Sequence, residues 1–336
     1  MLSKSIKLNG KFQNPIPTSI GGLSMIFKLL PLYLRNRAET EPKQLLGPFR
    51  SDARVYKTPP AGGLRVTWFG HSSSLLEIDG ARILIDPVWD KCAGPLQWAG
   101  PRRFFEPTLA LAELPELNAV ILSHDHYDHL GKGTIQELAK LPATKQTRWI
   151  APLGVGKLLE GFGVSAAQIV ELDWTRPATI ADGTCTITAL PARHFSGRSL
   201  TNRFETLWAS YAIAGTNHSV YYGADSGLWP GFQEIGAQYG PFDLTMLEIG
   251  AFHEMWSDIH MGPDGAAEAY EALGGPARAG LLMPIHWGLF NLALHAWRQP
   301  IERITQIAAE RGWPLFSPPP GLPTEVAAMQ SDWWKA

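Results

Sequence analysis

Residues 121–130 of the chain read ILSHDHYDHL, which places three histidines and two aspartates within six consecutive positions after an apolar run. Imidazole nitrogen and carboxylate oxygen are ligands of borderline and hard divalent cations, so concentrating both is unfavourable unless a cation neutralises them. The apolar run predicts a buried strand, and His124 and His126 then project to one side because they lie two apart in extended chain. Asp128 and His129 follow where the chain turns toward a helix. The stretch predicts parts of two metal sites, with a solvated polar loop as the alternative.

Length and composition limit the class of protein. The chain has 336 residues, enough for one large α/β domain or two smaller ones. Its formal net charge is only -2 at pH 7, which offers no general attraction to nucleic acid, and no nucleic-acid partner is expected. Cys92 and Cys185 form no disulfide framework, so reduced thiols and a cytoplasmic location are expected.

An apolar segment near the amino terminus, residues 23–34, has two interpretations. It is too short to span a bilayer, and Lys28 interrupts it where the core of a signal peptide is uninterrupted. We expect a helix that packs on the domain; the alternative is peripheral membrane contact through residues 21–37, with basic side chains against lipid headgroups. Residues 1–60 are thus predicted to be a helix and an extended linker, and residues 61–336 the main domain.

Alternating apolar and polar residues predict strands from residue 64 onward. The Asp79-Gly80 pair predicts a type I′ turn between strands at residues 74–78 and 81–85. Further strands and helices are predicted at residues 134–140, 207–213, 219–223, 265–273 and 301–311. Two similar successions of strands and helices predict an α/β fold, a four-layer αββα sandwich with two mixed β-sheets inside and helices outside.

Three more potential ligands follow later predicted strands. They are His194, Asp225 and His286, each at the carboxyl end of an apolar or alternating run. Any one of them alone is more often a hydrogen-bonded structural residue. Together with the first motif they make five histidines and two aspartates, enough for two cations if one carboxylate bridges them.

The chain resembles the metallo-β-lactamase superfamily, whose His-x-His-x-Asp-His motif occurs here at residues 124–129. Within that superfamily it is most similar to the N-acyl-phosphatidylethanolamine-hydrolysing phospholipase D branch and its bacterial relatives. Besides the first motif, the matching pieces are WFGHS (68–72), IDP (85–87), GPRRF (100–104), RHF (193–195), LW (207–208), GADSG (223–227), IGA (249–251) and IHWG (285–288). They follow one another in order over residues 68–288, so the resemblance covers most of the predicted domain.

The resemblance implies two groups of ligands and one bridging carboxylate. The groups are His124, His126 and His194 for one metal, and Asp128, His129 and His286 for the other, with Asp225 as the bridge. Two divalent ions are therefore expected. Zinc is the expected metal because the set is rich in nitrogen and lacks thiolate, with manganese or iron as alternatives. Asp86 is expected either to orient a ligand imidazole or to cap the turn before Pro87.

The activity that the resemblance implies is hydrolysis by a hydroxide that bridges two metal ions. The branch favours a phosphodiesterase of phospholipase D type that acts on a lipid-derived phosphodiester. A lactonase or other carboxylic ester hydrolase of the same fold is the first alternative, and a metal-binding protein without catalysis is the second. The expected partner is a small-molecule or lipid substrate, and the oligomeric state is left open, a homodimer being one option.

Three residues are candidates for catalysis: Asp128, Asp225 and His260. His260 matches a histidine beside the metals of similar phospholipases, where it would stabilise developing charge or protonate a leaving alkoxide. The alternative for His260 is a helix-start histidine before Pro263. His218 is expected to cap a hairpin, and His71 is left without a role.

Overall fold

Two mixed β-sheets form the centre of the protein. The computed structural model describes residues 2–20, 31–32, 35–36, 38–199 and 201–335. The strands are, in chain order, β1 (Lys7–Leu8), β2 (Lys11–Phe12), β3 (Leu64–Gly70), β4 (Ser73–Ile78), β5 (Ala81–Ile85), β6 (Ala119–Ile121), β7 (Arg148–Pro152), β8 (Ile169–Leu172), β9 (Pro177–Ile180), β10 (Cys185–Leu190), β11 (Ser210–Ala214), β12 (Ser219–Tyr222), β13 (Leu244–Glu248), β14 (Leu281–Ile285), β15 (Phe316–Ser317), β16 (Thr324–Glu325) and β17 (Met329–Gln330). The α-helices are α1 (Lys132–Leu138), α2 (Gly156–Gly161), α3 (Gly231–Tyr239), α4 (Gly262–Ala272), α5 (Pro276–Ala279) and α6 (Gln299–Arg311).

The topology of both sheets brings many strand ends to one edge. One sheet has the strand order β16-β3-β4-β5-β6-β7-β8, and the other has the order β14-β13-β12-β11-β10-β9. Strands β5 to β8 are parallel, and so are β12, β13 and β14. Because the carboxyl ends of parallel strands lie at the same edge, the loops that follow them are neighbours.

Alternation along the strands divides the core into layers. Ile83 and Ile85 of β5 belong to the larger apolar cluster, which contains residues of both sheets, whereas Leu84 belongs to a second cluster. That second cluster also holds Ile135 and Leu138 of helix α1, so α1 covers the outer face of its sheet. Helices α4 and α6 pack against each other on the outer side of the other sheet. The predicted four-layer sandwich is confirmed.

The first predicted hairpin is also confirmed. Asp79 and Gly80 have φ values of 47° and 89°, which a type I′ turn requires, and they join β4 to β5 in antiparallel register. The second hairpin begins later than predicted, at Ser210. The preceding amides of Leu207 and Ala209 donate to Leu153 and Ser123 instead of continuing the strand.

The amino-terminal segment that the structure describes lies directly on the domain. Residues 2–20 run largely extended, with Phe12 buried and its amide donating to the carbonyl of Phe204. The predicted helix at residues 23–34 lies mostly outside the described residues, so its packing and its membrane contact stay predictions. Within the described ranges, no helix is long and apolar enough to cross a membrane.

Candidate metal centre

The side chains singled out in the sequence meet at the common edge of the two sheets. His124, His194, Asp225 and His286 follow β6, β10, β12 and β14, and all four are buried. Asp225 lies in the middle of the group. Its Oδ2 atom is 3.1 Å from His286 Nε2 and 3.2 Å from His129 Nε2. It is also 3.8 Å from His124 Nε2 and 3.7 Å from His194 Nε2, so one carboxylate oxygen faces imidazoles from both sides.

The first group on one side of Asp225 consists of three imidazoles. His126 Nδ1 is 2.8 Å from His124 Nε2 and 3.3 Å from His194 Nε2. One ligand atom from each of these histidines and one from Asp225 lie within 4.8 Å of one another. Such convergence of nitrogen and oxygen is the spacing that a single bound cation imposes on its ligands.

The second group lies on the other side and contains one more residue than predicted. Asp128 Oδ2 is 3.5 Å from His129 Nε2 and 3.3 Å from His286 Nε2. His71 joins this group, with its Nε2 atom 2.9 Å from Asp128 Oδ2. Burial lowers the pKa of His71 to about 3, so its neutral ring can donate to the carboxylate. His71 thus holds Asp128 in place. Its position after strand β3 indicates this role only when the structure places Asp128 beside it.

Hydrogen bonds on the outer side of the histidines orient their inner nitrogens. His129 Nδ1 donates to Asp86 Oδ2 at 2.7 Å, and His194 Nδ1 donates to the carbonyl of Ile259 at 3.0 Å. Ser123 donates its hydroxyl hydrogen to Asp86, so His124 Nδ1, 2.9 Å from the Ser123 oxygen, is the donor in that contact. In each ring the Nε2 atom is therefore directed to the interior of the cluster.

Asp86 accepts four hydrogen bonds in this arrangement. They come from the amide and hydroxyl of Ser123, from His129 and from the Tyr222 hydroxyl. The geometry agrees with the hypothesis that Asp86 orients a ligand imidazole. Tyr222 belongs to the other sheet, so the two sheets are joined at this carboxylate.

Several buried atoms of the cluster lack partners. His129 Nε2, His286 Nε2 and Asp225 Oδ1 have no hydrogen-bond partner among the described residues. Buried polar atoms are almost always satisfied, and each exception requires an explanation. These atoms belong to the residue types that bind divalent cations and they face one another, so the residues present fit a metal site.

The electrostatics of the cluster suit cation binding. Burial, with a contribution from neighbouring imidazoles, holds the pKa values of His124 and His194 well below their usual range, so both rings are neutral. Burial alone would raise the pKa of Asp225, but His129 and His286 lower it well below its usual range. The pKa of His286 is raised to about 9, because nearby Asp225 and Asp128 outweigh the effect of burial. A cation that binds His286 must therefore displace a proton.

Backbone conformation at this edge is unusual. His71, Asp86, Ala224 and His286 have positive φ values of 53°, 38°, 51° and 62°. Residues other than glycine adopt this region rarely, and such strain concentrates at functional sites. Each of these residues follows a strand directly or within two positions, so the strained turns direct the loop side chains into the cluster.

His260 lies beside the cluster together with Glu248, a carboxylate that no motif in the sequence indicates. Its Nδ1 atom is 2.7 Å from Glu248 Oε2, and its ring centre is 5.1 Å from that of His194 and 5.2 Å from that of His286. Glu248 is fully buried at the end of β13 and accepts the amide of Met261. His260 also precedes α4 by two residues. Its position therefore fits both a histidine beside the metal ligands and a histidine at a helix start.

Comparison with known proteins agrees with the fold. Residues 81–287 match the family model of the beta-lactamase superfamily domain. The chain belongs to the metallo-β-lactamase superfamily and is a metal-dependent hydrolase.

Two relatives and one solved structure are similar to the chain over most of its length. The chain is 32% identical to N-acyl-phosphatidylethanolamine-hydrolyzing phospholipase D 1 of Caenorhabditis elegans, over 90% of this chain and 88% of that protein. It is 45% identical to an uncharacterised protein of Mycobacterium tuberculosis, over 82% of this chain and 73% of that protein. Igni18, a metallo hydrolase of the archaeon Ignicoccus hospitalis, has the same fold, with a TM-score of 0.59 and 22% identity over 79% of this chain and 98% of that one. The predicted similarity to the phospholipase D branch is confirmed.

Proposed function

We propose that the protein is a dinuclear phosphodiesterase of phospholipase D type that hydrolyses a lipid-derived phosphodiester. One observation carries the proposal: Asp225 Oδ2 lies within 3.8 Å of imidazole nitrogens from both ligand groups. A carboxylate in that position suits a bridge between two cations, and paired cations suit in-line displacement at phosphorus. The choice of phosphodiester is supported by the similarity to the Caenorhabditis elegans phospholipase.

The proposed ligands divide into the two groups on either side of Asp225. His124, His126 and His194 would hold one cation, Asp128, His129 and His286 the other, and Asp225 both. Zinc suits this set because its seven members supply five imidazoles and two carboxylates without thiolate. When bound, two such ions lower the pKa of water toward neutrality and neutralise the anionic oxygens of the transition state.

The chain's own residues then bind, orient and supply protons. Asp128 is held by His71, and His129 by Asp86, so the ligand geometry is set before substrate arrives. The bond from His260 Nδ1 to Glu248 leaves the other ring nitrogen of His260 available. Its side chain is 13% exposed, and it can hydrogen-bond to a substrate oxygen or to a leaving alkoxide at the margin of the cluster.

A substrate panel tests this proposal. The zinc-loaded protein is assayed on bis-(p-nitrophenyl) phosphate, on N-acyl-phosphatidylethanolamine in mixed micelles, and on a set of lactones. We expect turnover of the two phosphodiesters. Turnover of lactones without turnover of either phosphodiester would overturn the proposal and favour a carboxylic ester hydrolase.

The variant Asp225→Asn sharpens the same experiment. Loss of a residue that hydrogen-bonds to a metal ligand lowers activity by about 10–100-fold. Loss of the proposed bridging carboxylate should lower activity further, on every substrate. Asp182→Asn, an exposed aspartate in the turn before β10, is the matched control and should leave activity unchanged. Normal activity and metal content in Asp225→Asn would contradict the ligand assignment.

A further inference from the structure

Asn14 in the amino-terminal segment binds the backbone of His194. Its Nδ2 atom donates to the His194 carbonyl at 2.7 Å, and its Oδ1 atom accepts from the His194 amide at 2.9 Å. The two residues are 180 positions apart in the sequence. One planar amide thus satisfies both backbone groups of a residue in the metal cluster.

His194 needs such a partner because it lies outside the sheet. Strand β10 ends at Leu190, four positions earlier, and His194 is buried. Buried backbone groups that have no strand neighbour must find another partner. Asn14 takes the place of a neighbouring strand and fixes the backbone from which the His194 side chain extends. The Nε2 atom of that side chain lies 3.3 Å from His126 Nδ1.

Residues 17–19 of the amino-terminal segment also bind Arg193 and Asp258, which lie next to His194 and next to the acceptor of its ring. Arg193 donates to Thr18 Oγ1 and to the carbonyl of Pro17, and it forms an ion pair with Asp258 at 2.7 Å. The amide of Ser19 donates to that same carboxylate at 2.9 Å. The next residue after Asp258 supplies the carbonyl that accepts His194 Nδ1. Asn14 therefore fixes the backbone of His194 directly. The acceptor of its Nδ1 atom is fixed through the neighbouring Asp258, which binds Ser19.

We propose that Asn14 is a positioning residue for His194, and that residues 14–19 thereby set the affinity of the cation position formed by His124, His126 and His194. The inference rests on the ligand assignment under the proposed function. The match to the superfamily domain begins at residue 81, so the contribution comes from a segment outside the matched domain.

A zinc titration against a competing chromophoric chelator tests the proposal. The metal-free wild-type protein should bind two equivalents. In Asn14→Ala, one equivalent should bind about 10–100-fold more weakly, the range for loss of a partner that orients a ligand, and the other should be unchanged. His194→Ala serves as the reference for complete loss of that equivalent. Excess zinc should restore the kcat of Asn14→Ala but not that of His194→Ala.

Gln13→Ala is the matched control, because the Gln13 side-chain amide donates to the carbonyl of Lys11 within its own turn. It should titrate like the wild type. Asn14→Asp is a second variant for the case in which the alanine variant misfolds. It keeps the acceptor for the His194 amide but places a carboxylate oxygen against the His194 carbonyl, where the two acceptors repel each other, so at least the same weakening of that equivalent is expected.

Two results would overturn the inference while leaving the proposed function intact. One is wild-type affinity for both equivalents in Asn14→Ala. The other is equal weakening of both equivalents together with a lower melting temperature, which is the signature of general destabilisation. Fewer than two equivalents in the wild-type protein would instead contradict the dinuclear assignment, and with it this inference.

Discussion

Two sites in the molecule combine aspartate with histidine, at opposite ends of the same sheets. At the hairpin end, Asp79 Oδ1 accepts from His218 Nδ1 at 2.7 Å, and Oδ2 accepts the amides of Asn217 and His218 at 2.7 and 2.9 Å. At the other end, Asp225 Oδ1 has no hydrogen-bond partner among the described residues, and Oδ2 faces imidazoles.

The difference separates a structural pair from a candidate metal site. Asp79 joins the β4–β5 turn to the β11–β12 turn, and protein donors serve both of its oxygens. This confirms the expectation that His218 caps a hairpin. Asp225 and its neighbours have buried polar atoms without hydrogen-bond partners, and these atoms converge on one another. This arrangement is unfavourable unless a cation binds between them. Residue type alone does not distinguish the two sites; the presence or absence of protein donors does.

Removal of metal should have the largest effect on this comparison. Dialysis against a strong chelator should reduce hydrolysis to background, and added zinc should restore it. A ligand held at about 1,000 times its Kd stabilises a protein by about 4 kcal/mol, so the melting temperature should fall as well. Chelator saturated with zinc beforehand is the control. Full activity in metal-free protein, verified by elemental analysis, would contradict the account.

The variant Asp86→Asn should have an intermediate effect. Asparagine preserves the volume, but an amide NH2 group replaces Oδ2, the oxygen that accepts from the Ser123 hydroxyl, His129 and Tyr222. We expect about 10–100-fold weaker metal binding or activity, as for other partners of metal-bound histidines. The measurement is zinc affinity together with kcat. Unchanged values would show that Asp86 serves the turn before Pro87 and does not orient His129.

The variant Asp79→Asn should leave metal content and activity unchanged and reduce only stability. It replaces an acceptor of backbone amides by a group that is partly a donor, and loss of such bonds costs about 1–3 kcal/mol. Urea unfolding at neutral pH measures this difference. A change in zinc stoichiometry would show that the two ends of the sheets are coupled.

The same variant has a defined pH signature. Burial opposes ionisation of Asp79, but the amide of Asn217 and the ring and amide of His218 lower its pKa below the usual value. A carboxylate with a lowered pKa contributes stability above its unfolded pKa of about 3.9 and loses that contribution as the pH falls. Wild type and Asp79→Asn should therefore converge in stability toward acid pH. A constant difference across the acid range would contradict this assignment.

Much of this architecture could be predicted from local sequence patterns. Asp79-Gly80 predicts its turn because few other pairs adopt two positive φ angles, and apolar runs followed by His or Asp place the proposed ligands at strand ends. Those signals lie within a few residues of the feature that they predict. The positions of His194, Asp225 and His286 followed from the same logic.

The parts that could not be predicted depend on contacts between distant segments. Glu248 resembles the last residue of an ordinary strand until His260 is seen beside it, and His71 acquires a role only through Asp128. Asn14 lies 180 positions from His194, in a polar stretch without a motif. Such partners satisfy particular backbone or ring atoms, and periodicity contains no information about them.

Anomalous diffraction at the zinc edge, from crystals of the zinc-loaded protein, would locate the bound cations without reference to activity. We expect two peaks, one among His124, His126 and His194 and one among Asp128, His129 and His286, with Asp225 between them. A single peak, or peaks away from Asp225, would contradict the proposed dinuclear site.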